Sequence, residues 1–273
     1  MSHKFWNTQP VIQNSDEDII EIGPIQIKKL SDIKQNPYQL IEGFYWKSMD
    51  IENDIDEIHK LLYNNYVEDD DNQFRLNYTK DFLKWAMTPP GYFSDWHVGL
   101  RLKTKNNDKL VGFISGIPIK LITNDKKTLM CEINFLCCHK KLRGKRMAPI
   151  LIKEITRRVN LNDIWQAIYT IGYDIPTKFS TSTYYHRIIN LQKFYDINYY
   201  PKPKNNMLKR TFKLFDIPAN SIIGNIRNLT IDDVPEVTKL LNEYLNKYII
   251  HQEFTEKDIL HWFIGNDIIN SFI

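Results

Sequence analysis

The sequence has few cysteines, only three among 273 residues, and none of them belongs to a C-x-x-C pair. An odd number of cysteines within one short segment argues against a disulfide framework and against a zinc site. No apolar run approaches the length that spans a bilayer, and the N-terminus lacks the hydrophobic stretch of a signal peptide. We therefore expect no transmembrane segment, no metal and a cytoplasmic location.

The sequence also has little net charge, +3 at pH 7, which by itself does not indicate a nucleic-acid partner. Charge is nevertheless concentrated locally. Six basic side chains lie between His139 and Arg146, and an acidic run extends from Glu68 to Asp71. Two fields of opposite sign are typical of an enzyme that handles an anionic ligand and a cationic partner. An isolated charge run, in contrast, is more often a solvated loop.

Hydrophobic spacing and turn residues predict helices near 54–66 and 79–87, followed by a meander of strands at 96–102, 110–119 and 128–138. A helix from Pro149 and a strand at 164–171 come next. Beyond a Pro- and Lys-containing stretch near 201–206, the pattern predicts a strand at 227–230 and helices at 235–248 and 255–264. This order indicates an α/β (α+β) fold with a mixed sheet flanked by helices, and a domain boundary near residue 203.

The segment from Glu132 to Pro149 carries the strongest chemical signal. An apolar strand, a basic loop and a helix led by Pro149 follow one another without a gap. A helix N-terminus presents free N–H groups and the positive end of the helix dipole, and both favour a phosphate. The segment therefore predicts a site for a nucleotide-bearing ligand.

Several strings in the chain closely resemble one eukaryotic family, the N-myristoyltransferases (glycylpeptide N-tetradecanoyltransferases). The strings are EINFLCCHKKLRGKRMAP (132–149), HKFWNTQPV (3–11), GFYW (43–46), YVEDDDNQFRLNY (66–78), WAMTPPGY (85–92), STYYHR (182–187), HWF (261–263) and INSF (269–272). They occur in family order through almost the whole chain. The resemblance implies transfer of myristate from myristoyl-CoA to the N-terminal glycine amine of a protein, by a monomer that needs no metal.

The resemblance also implies two GNAT-like lobes. Residues 1–203 would form the complete lobe that binds myristoyl-CoA, and residues 204–273 would form part of a second lobe. The INSF string is internal in the family, so the second lobe is expected to be incomplete. The family uses its C-terminal carboxylate as the base, and that group is expected to be absent here.

By resemblance, the backbone N–H groups of Phe135 and Leu136 form the oxyanion hole for the thioester carbonyl, so these are the predicted catalytic residues. Gly144 replaces the usual serine of the phosphate loop, so we expect weaker CoA binding rather than none. The residues predicted to bind the cofactor are Lys4, Phe5, Trp6, Phe135, Leu136, Cys137, Cys138, Arg143, Gly144, Lys145, Arg146, Met147 and Ala148.

The peptide side of the site is implied by the same resemblance. An acidic loop covers the substrate and favours a downstream lysine, two aromatic residues line the groove, and further positions lie near the glycine. Leu76 replaces an expected Phe, which affects fine specificity. The residues predicted to bind the substrate are Val67, Glu68, Asp69, Asp70, Phe74, Tyr78, Thr170, Tyr184 and His186.

Three other interpretations compete with myristoyl transfer. A Cys138–His139 nucleophile is disfavoured because neighbouring side chains of a strand point to opposite faces. A catalytically impaired homologue that only binds acyl-CoA and a GNAT-type N-acetyltransferase for small acyl groups both remain open alternatives.

Overall fold

The computed structural model describes residues 5, 8–11, 23–172, 178–217, 224–264 and 267–273, with the backbone alone at 205 and 206. The chain falls into two units, one made of Met1–Pro176 with Asn228–Ile273 and the other of Thr177–Arg227. The functional boundary predicted at residue 203 stays a prediction.

A mixed sheet lies at the centre of the first unit. Its order is β1-β2-β3-β4-β5, with β6 paired to the end of β3. All neighbours are antiparallel except β4 and β5, which run parallel. The strands are β1 (Phe44–Ser48), β2 (His97–Thr104), β3 (Asn107–Thr123), β4 (Lys126–Cys138), β5 (Ala167–Ile168) and β6 (Ile250–Gln252).

Helices of the same unit flank this sheet, which confirms the predicted fold class. The described helices of the chain are α1 (Ile55–Asn65), α2 (Lys80–Met87), α3 (Met147–Leu161), α4 (Leu191–Asp196), α5 (Asn205–Phe215), α6 (Val234–Leu245) and α7 (Glu256–Phe263). Of these, α4 and α5 belong to the second unit. The described helices include none that is long and apolar enough to cross a membrane.

Two apolar clusters cover opposite faces of the sheet. The α1/α2 cluster contains the side chains that α1 buries at helical spacing, such as Ile58 and Leu62, together with Leu83 of α2. The α3 cluster contains Leu151 and Ile155 of α3 packed against the other face. The sheet therefore presents its strand ends between two layers of helices.

Two predicted strands are wrong or much shorter than expected. The strand predicted at 164–171 is reduced to β5. This strand pairs with β4 only at Cys131 and Glu132, a few residues before the backbone of β4 turns left-handed at Phe135. The strand predicted at 227–230 is a single bridge between Asn228 and Phe272. It ends there because Thr230 bonds to Asp233 and starts a 3-10 turn that leads into α6.

Within the first unit, β6 and α7 join the C-terminal segment, residues 228–273, to the part before residue 177. Trp85 of α2 donates its indole N–H to the carbonyl oxygen of His261, over 2.7 Å. His261 Nε2 lies 2.9 Å from the carbonyl oxygen of Trp85. These reciprocal contacts join α7 to α2, next to the α1/α2 cluster.

Candidate functional site

A bulge in β4 sets the geometry of the candidate site. The pairing register of β3 with β4 shifts there, so that Phe135 and Leu136 lie opposite one residue of β3. Phe135 has a left-handed backbone with φ of 54°, which is uncommon for a residue other than glycine. The extra residue reverses the alternation of side chains. Cys131 lies in the α3 cluster, whereas Phe135 and Cys137 lie in the α1/α2 cluster.

Aromatic packing holds Phe135 in this conformation. Its side chain is only 4% exposed. Its ring meets Tyr78 edge to face at 5.6 Å and lies 6.3 Å from the ring of Tyr66. Burial raises the pKa of Tyr66, so its phenol stays neutral at physiological pH. The sequence predicted Tyr66 as an apolar position of the helix near 54–66 and not as a site residue.

The backbone N–H of Phe135 faces two side-chain acceptors, the amide oxygen of Asn134 and the hydroxyl of Tyr66. It donates to Oδ1 of Asn134 over 2.9 Å, and the Asn134 side chain is exposed. Asparagine side chains often bond to neighbouring backbone groups in this way. An acceptor on an exposed side chain can give way to an incoming carbonyl oxygen, so the geometry suits an oxyanion donor. The sequence pattern predicted no role in the site for Asn134 either.

The loop that follows β4 has the backbone of an anion site. Gly144 and Arg146 are both left-handed, with φ of 76° and 58°. Successive residues of opposite handedness aim N–H groups into one concavity. Then α3 begins without any side chain capping its N-terminus. The N–H groups of Met147 and Ala148 therefore have no acceptor within the helix, and Pro149 has no N–H to satisfy.

A cleft of about 180 Å³ lies beside this loop. One wall carries the exposed cations Lys145 and Arg146, and the other is a mainly apolar segment before and within β1. That segment was not predicted from the sequence, because its role depends on its neighbour in space. The lining residues are Gln39, Leu40, Ile41, Phe44, Lys145, Arg146, Met147 and Ile150.

A buried carboxylate of α3 fixes the chain that leads to this second wall. Glu154 has no exposed surface and accepts hydrogen bonds from Arg157, from Arg158 and from the backbone N–H of Tyr38. Arg157 in turn donates to the carbonyl oxygens of Lys34 and Gln35. The segment 34–38 is thereby attached to α3, two turns beyond the phosphate loop.

The cysteines of β4 are poor nucleophiles. Burial raises the pKa of Cys137 to about 12 and that of Cys138 to about 11. His139 does not bond to Cys138. Its Nδ1 accepts the N–H of Lys141, and its Nε2 lies 3.4 Å from Nζ of Lys109. The pKa of His139 is lowered, first by burial and then by these two lysines. A Cys–His pair is therefore not formed.

The acidic run forms a loop that folds back on the next residues. The N–H of Asp69 donates to the carbonyl oxygen of Phe74, and the Asp69 carboxylate accepts the N–H of Phe74. The N–H of Leu76 donates to the carbonyl of Val67, whose side chain is exposed. Asp70 is exposed as well. Glu68 differs from these residues because its carboxylate faces the basic loop, with Nζ of Lys140 at 2.6 Å.

Tyr78 connects the bulge to a second, larger groove of about 570 Å³. Its ring stacks on Phe82 at 4.9 Å and meets Phe135, so the groove begins one ring away from the bulge. Phe74 is half-buried. The groove is lined by Asn77, Tyr78, Thr79, Asp81, Phe82, Asp267 and Ile268.

The remaining predicted residues are distributed between the two units. Thr170 is exposed in the first unit, whereas Tyr184 and His186 lie in the second unit with their rings 6.5 Å apart. Phe5 is half-buried. Lys4 and Trp6 lie outside the described residues. The structure thus groups the oxyanion, phosphate-loop and acidic-loop residues in one unit.

Known proteins share this architecture. Residues 24–182 match the family model described as "Myristoyl-CoA:protein N-myristoyltransferase, N-terminal domain". Residues 196–273 match the model described as its C-terminal domain. A crystal structure of Saccharomyces cerevisiae N-myristoyltransferase with bound myristoyl-CoA is 42% identical with a TM-score of 0.90. That match covers 98% of this chain and 61% of that chain.

Curated relatives agree with these matches. Glycylpeptide N-tetradecanoyltransferase 1 of Arabidopsis thaliana is 45% identical over 100% of this chain and 64% of the relative. The Dictyostelium discoideum glycylpeptide N-tetradecanoyltransferase is 46% identical over 99% of this chain and 66% of the relative. The chain thus spans just under two thirds of the length of these relatives. By its sequence and fold it belongs to the myristoyl-CoA:protein N-myristoyltransferase family.

Proposed function

We propose that the chain transfers myristate from myristoyl-CoA to the N-terminal glycine amine of a protein. One observation carries this proposal. The left-handed bulge at Phe135 is followed directly by a loop and a helix N-terminus suited to a phosphate. The thioester and the pyrophosphate are parts of one myristoyl-CoA molecule. The single segment from Phe135 to Ala148 could therefore bind both of these groups.

The phosphate loop would hold the CoA pyrophosphate. The N–H groups of Gly144, Met147 and Ala148 would donate to it, and the exposed side chains of Lys145 and Arg146 would neutralise its charge. The cleft beside Lys145 extends this surface with apolar contacts. The strand from Phe135 to Cys138 would run along the thioester, and by resemblance to the family Lys4, Phe5 and Trp6 are proposed to contact the CoA moiety.

The chemistry in this proposal is a direct displacement. The neutral glycine amine attacks the thioester carbonyl, the C–N bond forms, the C–S bond breaks, and CoA leaves as a thiolate, which takes up the proton that the amine nitrogen loses. Phe135 and Leu136 would stabilise the charge on the carbonyl oxygen through their N–H groups. Deprotonating an α-amino group at pH 7 costs only about 1 kcal/mol, so stabilisation of the oxyanion contributes more than a base does.

The peptide would approach from the acidic-loop side. Val67, Asp69, Asp70, Phe74 and Tyr78 are proposed to line the peptide's path. Tyr78 supports this proposal because its ring contacts Phe135 at the bulge. Thr170, Tyr184 and His186 are proposed to contact the first residues of the peptide. Residues 1–203 would form the cofactor lobe, and residues 204–273 would form part of a second lobe. A cytoplasmic monomer that binds no nucleic acid is the expected setting.

The deciding experiment follows acyl transfer by mass spectrometry. The purified chain is mixed with myristoyl-CoA and a Gly-Asn- or Gly-Ser-initiated peptide, and a gain of one myristoyl group is expected. The same peptide with an acetylated N-terminus serves as the control, because it lacks the attacking amine. Acetyl-CoA replaces myristoyl-CoA in a parallel reaction.

Each result has a distinct meaning. Myristoylation of the free peptide alone supports the proposal. Tight binding of myristoyl-CoA without any transfer identifies an acyl-CoA-binding homologue instead. Preferential use of acetyl-CoA identifies an N-acetyltransferase, and either of the last two results overturns the proposed activity.

A further inference from the structure

Glu68 is held against the phosphate loop by a group of residues that we name the Glu68 clasp. Its members are Asn65, Glu68, Lys140 and Arg143. Glu68 bonds to Nζ of Lys140 at 2.6 Å, and Nη1 of Arg143 lies 3.9 Å from its other oxygen. Only 15% of the Glu68 side chain is exposed. The acidic loop and the basic loop, 72 residues apart in sequence, are therefore in direct contact.

Asn65 completes the clasp from the end of α1. Its Oδ1 accepts the backbone N–H of Lys140 at 3.0 Å, and its carbonyl oxygen accepts Nη2 of Arg143 at 2.7 Å. Asn65 is buried. The backbone of Lys140 and the guanidinium group of Arg143 are thus held at the C-terminal end of α1, and Glu68 is the one member of the clasp that belongs to the acidic loop.

The clasp has an electrostatic consequence for both loops. The Glu68 carboxylate neutralises cations at the start of the segment that we propose to bind the CoA phosphates. An anion bound in the phosphate loop would compete with Glu68 for the positive charge of Lys140 and Arg143. The ion pair between Glu68 and Lys140 would then be weaker, and the acidic loop would be less restrained.

We propose that Glu68 is a positioning residue that links occupancy of the phosphate loop to the freedom of the acidic loop. In this proposal Glu68 does not contact the basic residue of the peptide. Asp69 and Asp70 are the acidic residues that bind it. The inference rests on the proposed function, since it requires CoA to bind at the phosphate loop.

The sign of one substitution separates this role from a merely structural one. Glu68→Gln keeps the size of the side chain and removes the competing charge, so CoA should bind about two- to fivefold more tightly. A residue that only maintained the loop's shape would weaken CoA binding when replaced. Lys140→Gln removes the cation and leaves Glu68 facing the loop, so it should weaken CoA binding.

The experiment measures binding of CoA and of pantetheine, which lacks the phosphates, by calorimetry. Asp71→Asn is the matched control, because it removes one negative charge from an exposed position of the same loop. We expect Asp71→Asn to change CoA affinity less than twofold and Glu68→Gln to leave pantetheine affinity unchanged. Hydrogen exchange of residues 66–76, with and without CoA, gives the second readout. Wild type should exchange faster when CoA is bound, and Glu68→Gln should exchange equally fast in both conditions.

The outcomes separate the two proposals. Absence of CoA binding in wild type overturns both of them. CoA binding that Glu68→Gln weakens or leaves unchanged overturns the clasp alone, as does hydrogen exchange of 66–76 that does not respond to CoA in wild type. Thermal unfolding of each variant shows whether it is folded. Should Glu68→Gln not fold, the affinity change of Lys140→Gln and the wild-type exchange data decide the matter.

Discussion

Glu154→Gln tests how firmly the second wall of the cleft is attached to α3. Glu154 accepts Nε and Nη2 of Arg157 at 3.0 and 2.7 Å, Nε of Arg158 at 2.9 Å, and the N–H of Tyr38 at 3.2 Å. Glutamine preserves the shape of the side chain. It removes the negative charge and one of the two acceptor oxygens, so the two guanidinium groups lose their counter-ion.

The expected loss of stability follows from burial. The side chains of Arg157 and Arg158 are 7% and 8% exposed, and that of Glu154 is 0% exposed. Removing one partner of a buried ion pair typically costs about 3–5 kcal/mol, because the other charge stays buried. The glutamine carbonyl still accepts one bond, so we expect about 3 kcal/mol. At about 2–4 °C per kcal/mol, the melting temperature should fall by about 6–12 °C.

The assay is urea unfolding followed by far-UV circular dichroism. Glu243→Gln of α6 is the matched control, because Glu243 also pairs with a cation four residues away, Lys239, at 3.9 Å. That pair is exposed, and its loss should cost less than about 0.5 kcal/mol. The difference between the two variants therefore isolates the effect of burial.

The pH dependence provides an internal check. Burial opposes ionisation of Glu154, but the hydrogen bonds from Arg157 and Arg158 outweigh it, and the pKa is lowered from 4.5. A lowered carboxyl pKa adds stability above its unfolded value, and that stability is lost as the pH falls through the folded value. The deficit of Glu154→Gln should thus be complete at pH 7 and shrink below about pH 4. A deficit under 1 kcal/mol at pH 7, or one that stays constant in acid, would refute this reasoning.

Three further predictions concern the site and its surroundings. Replacing the N–H of Phe135 by an ester oxygen should slow acyl transfer about 10²–10³-fold, because it removes an oxyanion donor. Phe135→Leu keeps that donor and should stay within about tenfold of wild type in the same peptide assay. His97→Gln should flatten the urea stability profile between pH 6.5 and 4. Burial lowers the pKa of His97 from 6.5 to about 4, so wild type loses stability as the pH falls through that window. Iodoacetamide should leave native Cys137 and Cys138 unlabelled after about an hour at neutral pH, by intact-mass analysis, because burial raises both thiol pKa values.

Contrary results would be equally clear for each of the three. Equal losses in the ester and in Phe135→Leu would assign the effect to the ring rather than to the N–H group. An unchanged pH profile in His97→Gln would mean that another group carries the acid sensitivity. Rapid labelling of either thiol would show that β4 opens toward solvent far more readily than its packing implies.

The elements that the sequence predicts well are those whose pattern is local. Helix α1 buries Ile58 and Leu62 at helical spacing, and Thr79 caps α2 by accepting the N–H of Phe82. The turn at Asn124 and Asp125 is also readable. Both residues are left-handed, with φ of 47° and 63°, as a tight hairpin requires. Because that turn is so tight, β3 and β4 pair up to its edges and are longer than their apolar runs suggest.

The elements that the sequence does not predict depend on distant partners. Strand β6 is only three residues long, and it forms because its backbone pairs with the end of β3. The left-handed bulge at Phe135 is hidden for a similar reason. From Phe135 to Cys138 the strand is apolar on both faces, so a reversal of side-chain alternation at the bulge leaves no mark in the pattern. Only the cross-strand register shows which side chains change face.

The basic loop shows why the number of cations in a sequence does not reveal which of them are available to a ligand. It lies between two helix ends of opposite polarity, the C-terminus of α1 and the N-terminus of α3. Arg143 donates to the carbonyl oxygen of Asn65 at the negative end, which removes it from the set of freely available cations. Lys145 and Arg146 precede the positive end, where an anion is favoured, and both are exposed. The sequence places all of these cations in one loop. Contacts in the fold divide these cations into two pairs. Lys140 and Arg143 are bound to Glu68 and to the end of α1, whereas Lys145 and Arg146 are exposed at the start of α3. In our proposal, Glu68 therefore competes with the cofactor's phosphates for the positive charge of the loop.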